Sequence, residues 1–138
     1  MSELPAPAPP VNIETEPFWA ATTEGRLLLL RCDDCSAVIW YPRSICPNCR
    51  SSATSWIEAS GRGTIYSYTV VRRGQGRWRE AAPYVVAYVE LEEGPRLLTN
   101  VVDCDPDGVG IDMAVRVRFD PTGEGPCLPR FVPDPSAH

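Results

Sequence analysis

The sequence predicts a mainly β fold, made of a short N-terminal helix, a small metal-binding ribbon and a barrel of five strands. Two Cys-x-x-Cys pairs, Cys32 with Cys35 and Cys46 with Cys49, lie within twenty residues of each other and predict the ribbon. Beyond residue 61, alternating apolar and polar runs recur between turn residues, as is typical of short strands. No long segment has a helical apolar period, so we expect a small closed barrel of the oligonucleotide/oligosaccharide-binding (OB) type.

The N-terminal part of the chain divides into a proline-rich tail and a helix. Residues 1–13 are rich in proline, and we expect a disordered tail. A short helix is predicted over 14–25, with Thr15 as its N-cap. This helix carries Phe18 and Trp19, two large aromatic residues that require an apolar surface to cover them. That surface is either the chain's own ribbon or a second protein, and the second case makes both residues candidates for partner docking.

The predicted ribbon covers residues 26–60, where apolar runs before, between and after the cysteine pairs are typical of short strands. Thiolates are soft ligands that suit tetrahedral zinc. Four sulfur ligands leave no open position for water, so one structural zinc ion is expected. Its ligands are Cys32, Cys35, Cys46 and Cys49. A rubredoxin-like iron site and a redox-active Cys-x-x-Cys pair are the alternatives.

The predicted barrel covers residues 61–133 and contains five segments typical of strands. They are residues 63–73, 83–94 with a turn at its end, 95–102, 113–119 and 127–133. The fourth segment alternates most regularly, with Val115, Val117 and Phe119 on one face and arginines on the other. Prolines shorten the fifth segment.

Charge and composition restrict the chemistry of the chain. The net charge is −4 over residues 1–25, +6 over 26–79 and −7 over 80–138, so the basic middle suits an anion while the acidic part repels nucleic acid. All thirteen basic residues are arginine, which leaves no lysine for a Schiff base. The one histidine is His138, so we expect no Ser-His-Asp or Cys-His site.

The localisation, the two remaining cysteines and an acidic segment each have a simple interpretation. No apolar run approaches the roughly 20 residues of a membrane helix, and the first ten residues lack signal-peptide regions, so we expect a cytoplasmic protein. Cys104 and Cys127 lie outside the paired motifs, and we expect them to be buried as small apolar residues. Residues 103–108 match the first half of a calcium loop but lack its closing carboxylate, which favours an acidic turn.

A cluster of arginines is the second candidate site, because guanidinium groups match the geometry of phosphate oxygens. The cluster consists of Arg62, Arg72, Arg73, Arg77 and Arg79. Tyr66, Tyr68 and Trp78 alternate with these arginines and can stack on a planar base. Coenzyme A and nucleic acid both fit this pattern, and solvated arginines in two turns are the alternative without a ligand.

Three motifs together resemble a known family. They are "FWAATTEGRLLLLRCDDC", "YPRSICPNC" and "WIEASGRGTIYSYTVV", and the resemblance extends over about residues 14–133. The sequence resembles the zinc-ribbon/OB-fold acyl-CoA-associated proteins, long catalogued as domain-of-unknown-function family thirty-five. This resemblance implies a short N-terminal helical segment, a rubredoxin-like ribbon whose four cysteines hold the metal, and an OB barrel. It also implies that Phe18 and Trp19 are docking positions.

The function implied by the resemblance is that of an accessory subunit. Members of the family partner thiolase-superfamily proteins that act on acyl-CoA esters. One archaeal member is a scaffold between acetoacetyl-CoA thiolase and hydroxymethylglutaryl-CoA synthase. In actinobacterial sterol side-chain breakdown, members join a thiolase-like lipid-transfer protein to form a retro-aldolase. The resemblance therefore implies a hetero-oligomer in which this chain, non-catalytic by itself, completes a thiolase-like acyl-CoA enzyme, most specifically a steroid-CoA aldolase.

Three other functions remain open at this point. The chain could be a scaffold of another thiolase-type complex or a free-standing acyl-CoA carrier or sensor. It could also be a nucleic-acid-binding module, since zinc ribbons and OB barrels both serve that role. The sequence pI of about 4.8 opposes the last of these.

Overall fold

The structure, a computed structural model, describes residues 4–135 and confirms the mainly β fold. One α-helix, α1 (Glu16–Thr22), precedes three ribbon strands and five barrel strands. The ribbon strands are β1 (Leu28–Cys32), β2 (Val38–Ile39) and β3 (Thr54–Glu58). The barrel strands are β4 (Arg62–Val71), β5 (Tyr84–Leu91), β6 (Arg96–Val101), β7 (Ala114–Pro121) and β8 (Cys127–Pro133). The helices in this part of the chain are not long and apolar enough to cross a membrane.

The ribbon is a three-stranded antiparallel sheet in which β1 lies between β2 and β3. Leu29 of β1 is fully buried and belongs to the large core that continues into the barrel. Leu30 and Cys32, whose side chains leave the opposite face of the strand, belong to a small core within the ribbon. The central strand therefore joins two cores.

The barrel is closed, with strand order β4-β5-β6-β8-β7, as expected for the five-stranded OB type. Four of its five contacts are antiparallel, while β6 and β8 run parallel and pair only at Val101 and Phe131. The alternation predicted for the fourth barrel strand is confirmed, because Val115 is buried while Arg116 and Arg118 are exposed. The junction of β6 and β8 is completed by two further hydrogen bonds, from the Val102 N–H to the Phe131 carbonyl at 2.8 Å and from the Thr99 hydroxyl to the Pro129 carbonyl at 3.0 Å.

Helix α1 packs into the same core as the barrel. Phe18 and Trp19 are only 1% and 8% exposed, and both belong to the core cluster that also contains Leu29 of the ribbon and Phe131 of the barrel. Burying an aromatic side chain of this kind contributes about 1.5–3 kcal/mol. Of the two surfaces that the sequence left open for these residues, the chain's own interior is the one observed.

The helix begins at the predicted N-cap residue, but another residue supplies the capping hydrogen bonds. Thr15 occupies the N-cap position, but its side chain forms no capping hydrogen bond. Asn12 caps the preceding turn instead: its Oδ1 accepts the backbone N–H groups of Glu14 and Thr15, each at 3.0 Å. The Thr15 Oγ1 in return accepts the N–H of Asn12 at 3.1 Å, which completes a reciprocal capping box. Thr15 is therefore the N-cap residue, as predicted, while Asn12, three residues earlier, supplies the capping hydrogen bonds.

Two features fix the end of the helix. Gly25 has φ +71°, and the N–H groups of Gly25 and Arg26 bond back to the carbonyls of Thr22 and Ala21 in a Schellman arrangement. The Thr22 hydroxyl donates to the Trp19 carbonyl at 2.6 Å and accepts the backbone N–H of Cys127 at 3.0 Å. Because Thr22 is 1% exposed, this hydroxyl is a buried link between the helix and the first residue of β8.

The proline-rich segment was expected to be disordered, and its described part differs from that expectation. Residues 4–12 form no helix or strand, yet the guanidinium of Arg130 on β8 donates to the backbone carbonyls of Leu4 and Pro5. Composition indicates only that this segment cannot build a core by itself, and says nothing of a barrel residue that binds it. His138 lies outside the described residues.

We expect Thr22→Val to destabilise the protein by about 1–3 kcal/mol, because the half-buried N–H of Cys127 loses its acceptor. Thr23→Val is the matched control, since Thr23 makes the equivalent bond to the Ala20 carbonyl but is exposed. Its free energy of unfolding should change by no more than about 0.5 kcal/mol. Urea unfolding followed by circular dichroism measures both values. Equal losses in the two variants would show that the link to β8 contributes nothing.

Candidate functional site

The four cysteines of the paired motifs come together at the end of the ribbon. Their sulfur atoms all lie within 4.8 Å of one another. The Sγ atoms of Cys32 and Cys49 are 3.5 Å apart, and those of Cys35 and Cys46 are 3.7 Å apart. A tetrahedral zinc ion with Zn–S bonds of about 2.3 Å requires sulfur separations of roughly 3.8 Å. The site therefore has the size that one zinc ion requires.

Both cysteine pairs form the same knuckle turn. The residue after each pair, Ser36 or Arg50, has a positive φ of 66° or 68°. Its N–H bonds to the carbonyl of the first cysteine of the pair, Cys32 or Cys46, at 2.9 and 2.8 Å respectively. This left-handed residue turns the chain back, so that both sulfurs of each pair point to the same place.

Backbone and side-chain N–H groups surround the sulfur atoms. The N–H groups of Cys35 and Asn48 donate to the sulfurs of Cys32 and Cys46 at 3.5 and 3.4 Å, and Asn48 Nδ2 donates to Cys35 Sγ at 3.4 Å. The hydrogen bond from the Asn48 side chain is the main reason that the pKa of the Cys35 thiol is lowered to about 6. Hydrogen bonds of this kind favour the thiolate, the form that binds metal.

The chemistry of this donor set is that of a structural zinc site. Four sulfur ligands complete a tetrahedral shell, which leaves no position for a substrate or a water molecule. The small core of the ribbon consists of four buried residues, Leu30, Cys32, Ile39 and Cys46, so two of its members are themselves ligands. Metal binding on the order of 10 kcal/mol therefore supplies stability that so small a core cannot.

The structure separates the arginines that the sequence grouped together. Arg62 begins β4 and pairs with Glu92 at 3.2 Å, whereas Arg72 follows the end of β4 and pairs with Asp107 at 2.6 Å. At about 3.3 Å per residue, the ten residues of the strand can separate these two positions by up to roughly 30 Å. The five arginines therefore do not form one site, and the loop after β4 carries Arg72 together with Arg73, Arg77 and Arg79.

Two of the aromatic residues proposed for stacking have partners within the chain. The guanidinium of Arg96 lies 3.7 Å from the centre of the Tyr66 ring. Trp78 contacts Tyr84, with the ring centres 5.0 Å apart. Tyr68, two residues from Tyr66 on β4, is 38% exposed.

The remaining sequence features lie in loops and at strand ends. Cys104 and Cys127 are half-buried rather than fully buried, and burial together with Asp103 and Asp105 raises the pKa of the Cys104 thiol. In the acidic segment, the Asp105 side chain accepts the N–H of Asp107 and caps a short 3-10 turn over Pro106–Gly108.

An apolar cavity between the ribbon and the barrel is a feature that sequence reasoning missed. Its volume is about 440 Å³, and residues of both β6 and β8 line it. Its walls include Trp19, Trp40, Tyr41 and Trp78, so three of the four tryptophans of the chain meet there. The wide spacing of these residues along the sequence concealed the cluster, although the high number of tryptophans was a usable signal.

Comparisons with known proteins identify relatives of both parts of the chain. The family description "ChsH2, rubredoxin-like zinc ribbon domain" matches residues 19–55, and "ChsH2, C-terminal OB-fold domain" matches residues 56–120. A DUF35 domain-containing scaffold protein of Methanocaldococcus jannaschii is 42% identical over 73% of this chain and 73% of its own length.

Two further proteins connect the fold with named enzymes. The 3-oxo-4,17-pregnadiene-20-carboxyl-CoA hydratase alpha subunit of Mycobacterium tuberculosis is 32% identical over 80% of this chain, which spans only 35% of that subunit. A chain of a solved structure entitled "Ltp2-ChsH2(DUF35) aldolase" is 36% identical, with a TM-score of 0.82 over 91% of this chain and 98% of that one.

We expect metal analysis of the purified protein to give about one zinc ion per chain. A strong chelator should unfold residues 26–60, because the small ribbon core depends on the metal. Hydrogen exchange of the backbone amides in that segment measures the effect. Cys46→Ser should lose the zinc, while the control Cys127→Ser, outside the knuckles, should keep it. A metal-free protein with unchanged protection and melting temperature would contradict a structural role.

Proposed function

Because the chain belongs to the ChsH2 (DUF35) family of zinc-ribbon and OB-fold proteins, we propose that it is the accessory subunit of a thiolase-like acyl-CoA enzyme. The complete assembly is a retro-aldolase that cleaves a carbon–carbon bond of an acyl-CoA, with a steroid side-chain acyl-CoA as the favoured substrate. One observation carries the proposal: the structural match covers 98% of a chain in the Ltp2-ChsH2(DUF35) aldolase, with a TM-score of 0.82 and 36% sequence identity.

The residue chemistry supports a division of labour between two subunits. Retro-aldol cleavage requires a base that takes the proton of the β-hydroxyl group, and donors that stabilise the enolate oxygen. This chain has no lysine, and its one histidine is His138. The four sulfur ligands saturate the metal, so the zinc ion has no open position for a substrate oxygen. We therefore assign the acid–base groups to the partner.

The surface around the cavity is the proposed docking region for that partner. Phe18 and Trp19 lie at the wall of the cavity rather than on an exposed helix face. Exposed apolar side chains adjoin it, including Leu98 at 62% and Tyr41 at 38%. Apolar side chains of this size are characteristic of the buried centre of an interface. The role of Phe18 and Trp19 in docking is then to support this surface from beneath.

The arginines of the loop after β4 are the proposed contact for the phosphates of coenzyme A. Arg73, Arg77 and Arg79 are exposed, and they form no ion pair with another residue in 4–135. Arg72 differs because it already pairs with Asp107. Free guanidinium groups in one loop can form bidentate bonds with phosphate oxygens.

A scaffold that joins two enzymes is the second candidate function. The 42% identity with the archaeal DUF35 scaffold protein favours it. In that case the chain would bind two different acyl-CoA enzymes at once, and cleavage activity would not depend on it. The number of partner types in the purified complex therefore separates the two functions.

We expect co-expression with a thiolase-like partner to give a stable hetero-oligomer that cleaves an acyl-CoA carbon–carbon bond. Size-exclusion chromatography measures the complex, and product analysis by mass spectrometry measures cleavage. The zinc-site variant Cys46→Ser should reduce both, because the ribbon is part of the docking unit. Separate elution of the two chains, with activity that needs the partner alone, would refute the proposal.

Within that complex, the triple variant Arg73→Gln/Arg77→Gln/Arg79→Gln should raise the KM for acyl-CoA about tenfold or more, since charge-assisted bonds contribute about 1.5–3 kcal/mol each. The value of kcat should change little, because phosphate contacts bind ground state and transition state alike. Arg62→Gln is the matched control at the other end of β4. An equal increase in KM for Arg62→Gln would contradict the proposal that the loop after β4 binds the phosphates.

A further inference from the structure

A proline-rich segment of the chain lies at the rim of the aromatic cavity between the ribbon and the barrel. We propose that this rim, where Arg130 lies beside aromatic side chains, is a recognition site for an extended proline-rich segment, and that residues Leu4–Pro10 of the chain itself occupy the rim in the free protein. The site is separate from the four cysteine ligands, and it requires no thiolase-like partner.

The segment has the properties of a polyproline II ligand. Prolines stand at positions 5, 7, 9 and 10, and each fixes φ near −65° and removes a backbone N–H donor. The segment forms no helix or strand, so its carbonyl groups have no intrasegment partners in regular structure. Polyproline II has no internal hydrogen bonds, and its carbonyls are available to a receptor.

A buried arginine binds two of these carbonyls. Arg130 is 3% exposed, and its guanidinium donates to the Leu4 carbonyl at 3.4 Å and to the Pro5 carbonyl. The same group pairs with Asp120 at 3.0 Å, and the pKa of that carboxyl lies below its usual value because hydrogen bonds from Arg118 and Arg130 outweigh the effect of its burial. A guanidinium carries five N–H donors, more than a single carboxylate can accept. The peptide carbonyls accept hydrogen bonds from donors that would otherwise be buried without a partner.

Aromatic rings line the cavity next to this arginine. Pro7 of the segment borders the same cavity as Trp19, Trp40, Tyr41 and Trp78. Domains that bind proline-rich peptides use such aromatic-lined grooves, together with donors to the peptide carbonyls. The Tyr41 hydroxyl accepts a bond from Trp19 Nε1 at 3.0 Å, which leaves its own O–H free to donate. The cavity therefore offers both of the features that recognise this backbone.

The far end of the segment is tethered, which explains why this copy occupies the site. The Asn12 capping box fixes the chain at the start of the helix, and the Glu14 carboxylate accepts the N–H and hydroxyl of Ser44 at 2.5 and 2.7 Å. A short tether of this kind gives a local concentration in the millimolar range. The chain's own segment therefore occupies the site even if its intrinsic affinity is weak. An equivalent segment of another chain competes only when the tether is cut or when that other segment is present at high concentration.

The test is to cut the tether in the folded, full-length protein. A protease recognition sequence is inserted between Pro10 and Val11, the purified chain is cleaved, and the released peptide is removed by dialysis. A synthetic peptide of residues 1–12 is then titrated back. Because three of the four tryptophans line the cavity, we expect a saturable change in tryptophan fluorescence. The uncut chain should bind the same peptide at least about tenfold more weakly, because its own segment competes.

Two sets of controls decide the outcome. A peptide with alanine at all four proline positions should bind at least about tenfold more weakly to the unaltered cleaved chain, since it is not held in the polyproline II form. Arg130→Gln should weaken binding to a similar extent, while Arg116→Gln, exposed two residues from Arg118 on β7, should not. Absence of saturation, equal binding of the alanine peptide or equal binding by the cut and uncut chains would each overturn the proposal. The peptide comparison needs no altered protein, so the test remains valid if Arg130→Gln fails to fold.

Discussion

Strand β1 carries the constraint on which the rest of the structure depends. Its alternating faces place Leu29 in the core shared with the barrel, and Leu30 and Cys32 in the core of the metal ribbon. Trp56 on the neighbouring strand packs against both cores. A shift of this five-residue strand at the zinc site would therefore also move Leu29 in the core shared with the barrel, because both faces belong to one backbone.

The parts of the fold that local chemistry determines are the parts that the sequence could predict. Cysteine spacing indicated the metal site, and period-two alternation indicated β7, because each depends on neighbouring residues alone. The cap at Asn12 was missed because several residues in this region are good caps, and only the backbone path decides between them. The burial of Phe18 and Trp19, the separation of Arg62 from the other arginines and the cavity depend on which distant segments pack together, which no local pattern contains.

The ion pair between Arg130 of β8 and Asp120 of β7 shows how a segment without helix or strand can contribute to the packing of the protein. Arg130 and Asp120 lie on adjacent strands, and burial of such a pair is costly unless its remaining donors are satisfied. The carbonyls of Leu4 and Pro5 supply these acceptors. Proline suits this role because it contributes a carbonyl without adding an N–H that would need its own partner. The composition that indicates disorder in isolation is thus the composition that this guanidinium can bind.

Under the proposed function this subunit contributes geometry rather than chemistry, because four sulfur ligands saturate its metal. The ribbon and barrel provide that geometry because the helix, β1 and the barrel strands share one core, so a partner that docks on one of them contacts a rigid unit. The junction of β6 and β8 is the exception, since only one residue pair of the ladder joins these strands and an apolar cavity lies beside them. The proline-rich segment lies at the rim of this cavity and borders the surface proposed for docking. A partner that uses the cavity must therefore displace the segment or bind over it. Displacement leaves guanidinium donors of Arg130 without acceptors, unless the partner supplies carbonyl groups in the same place.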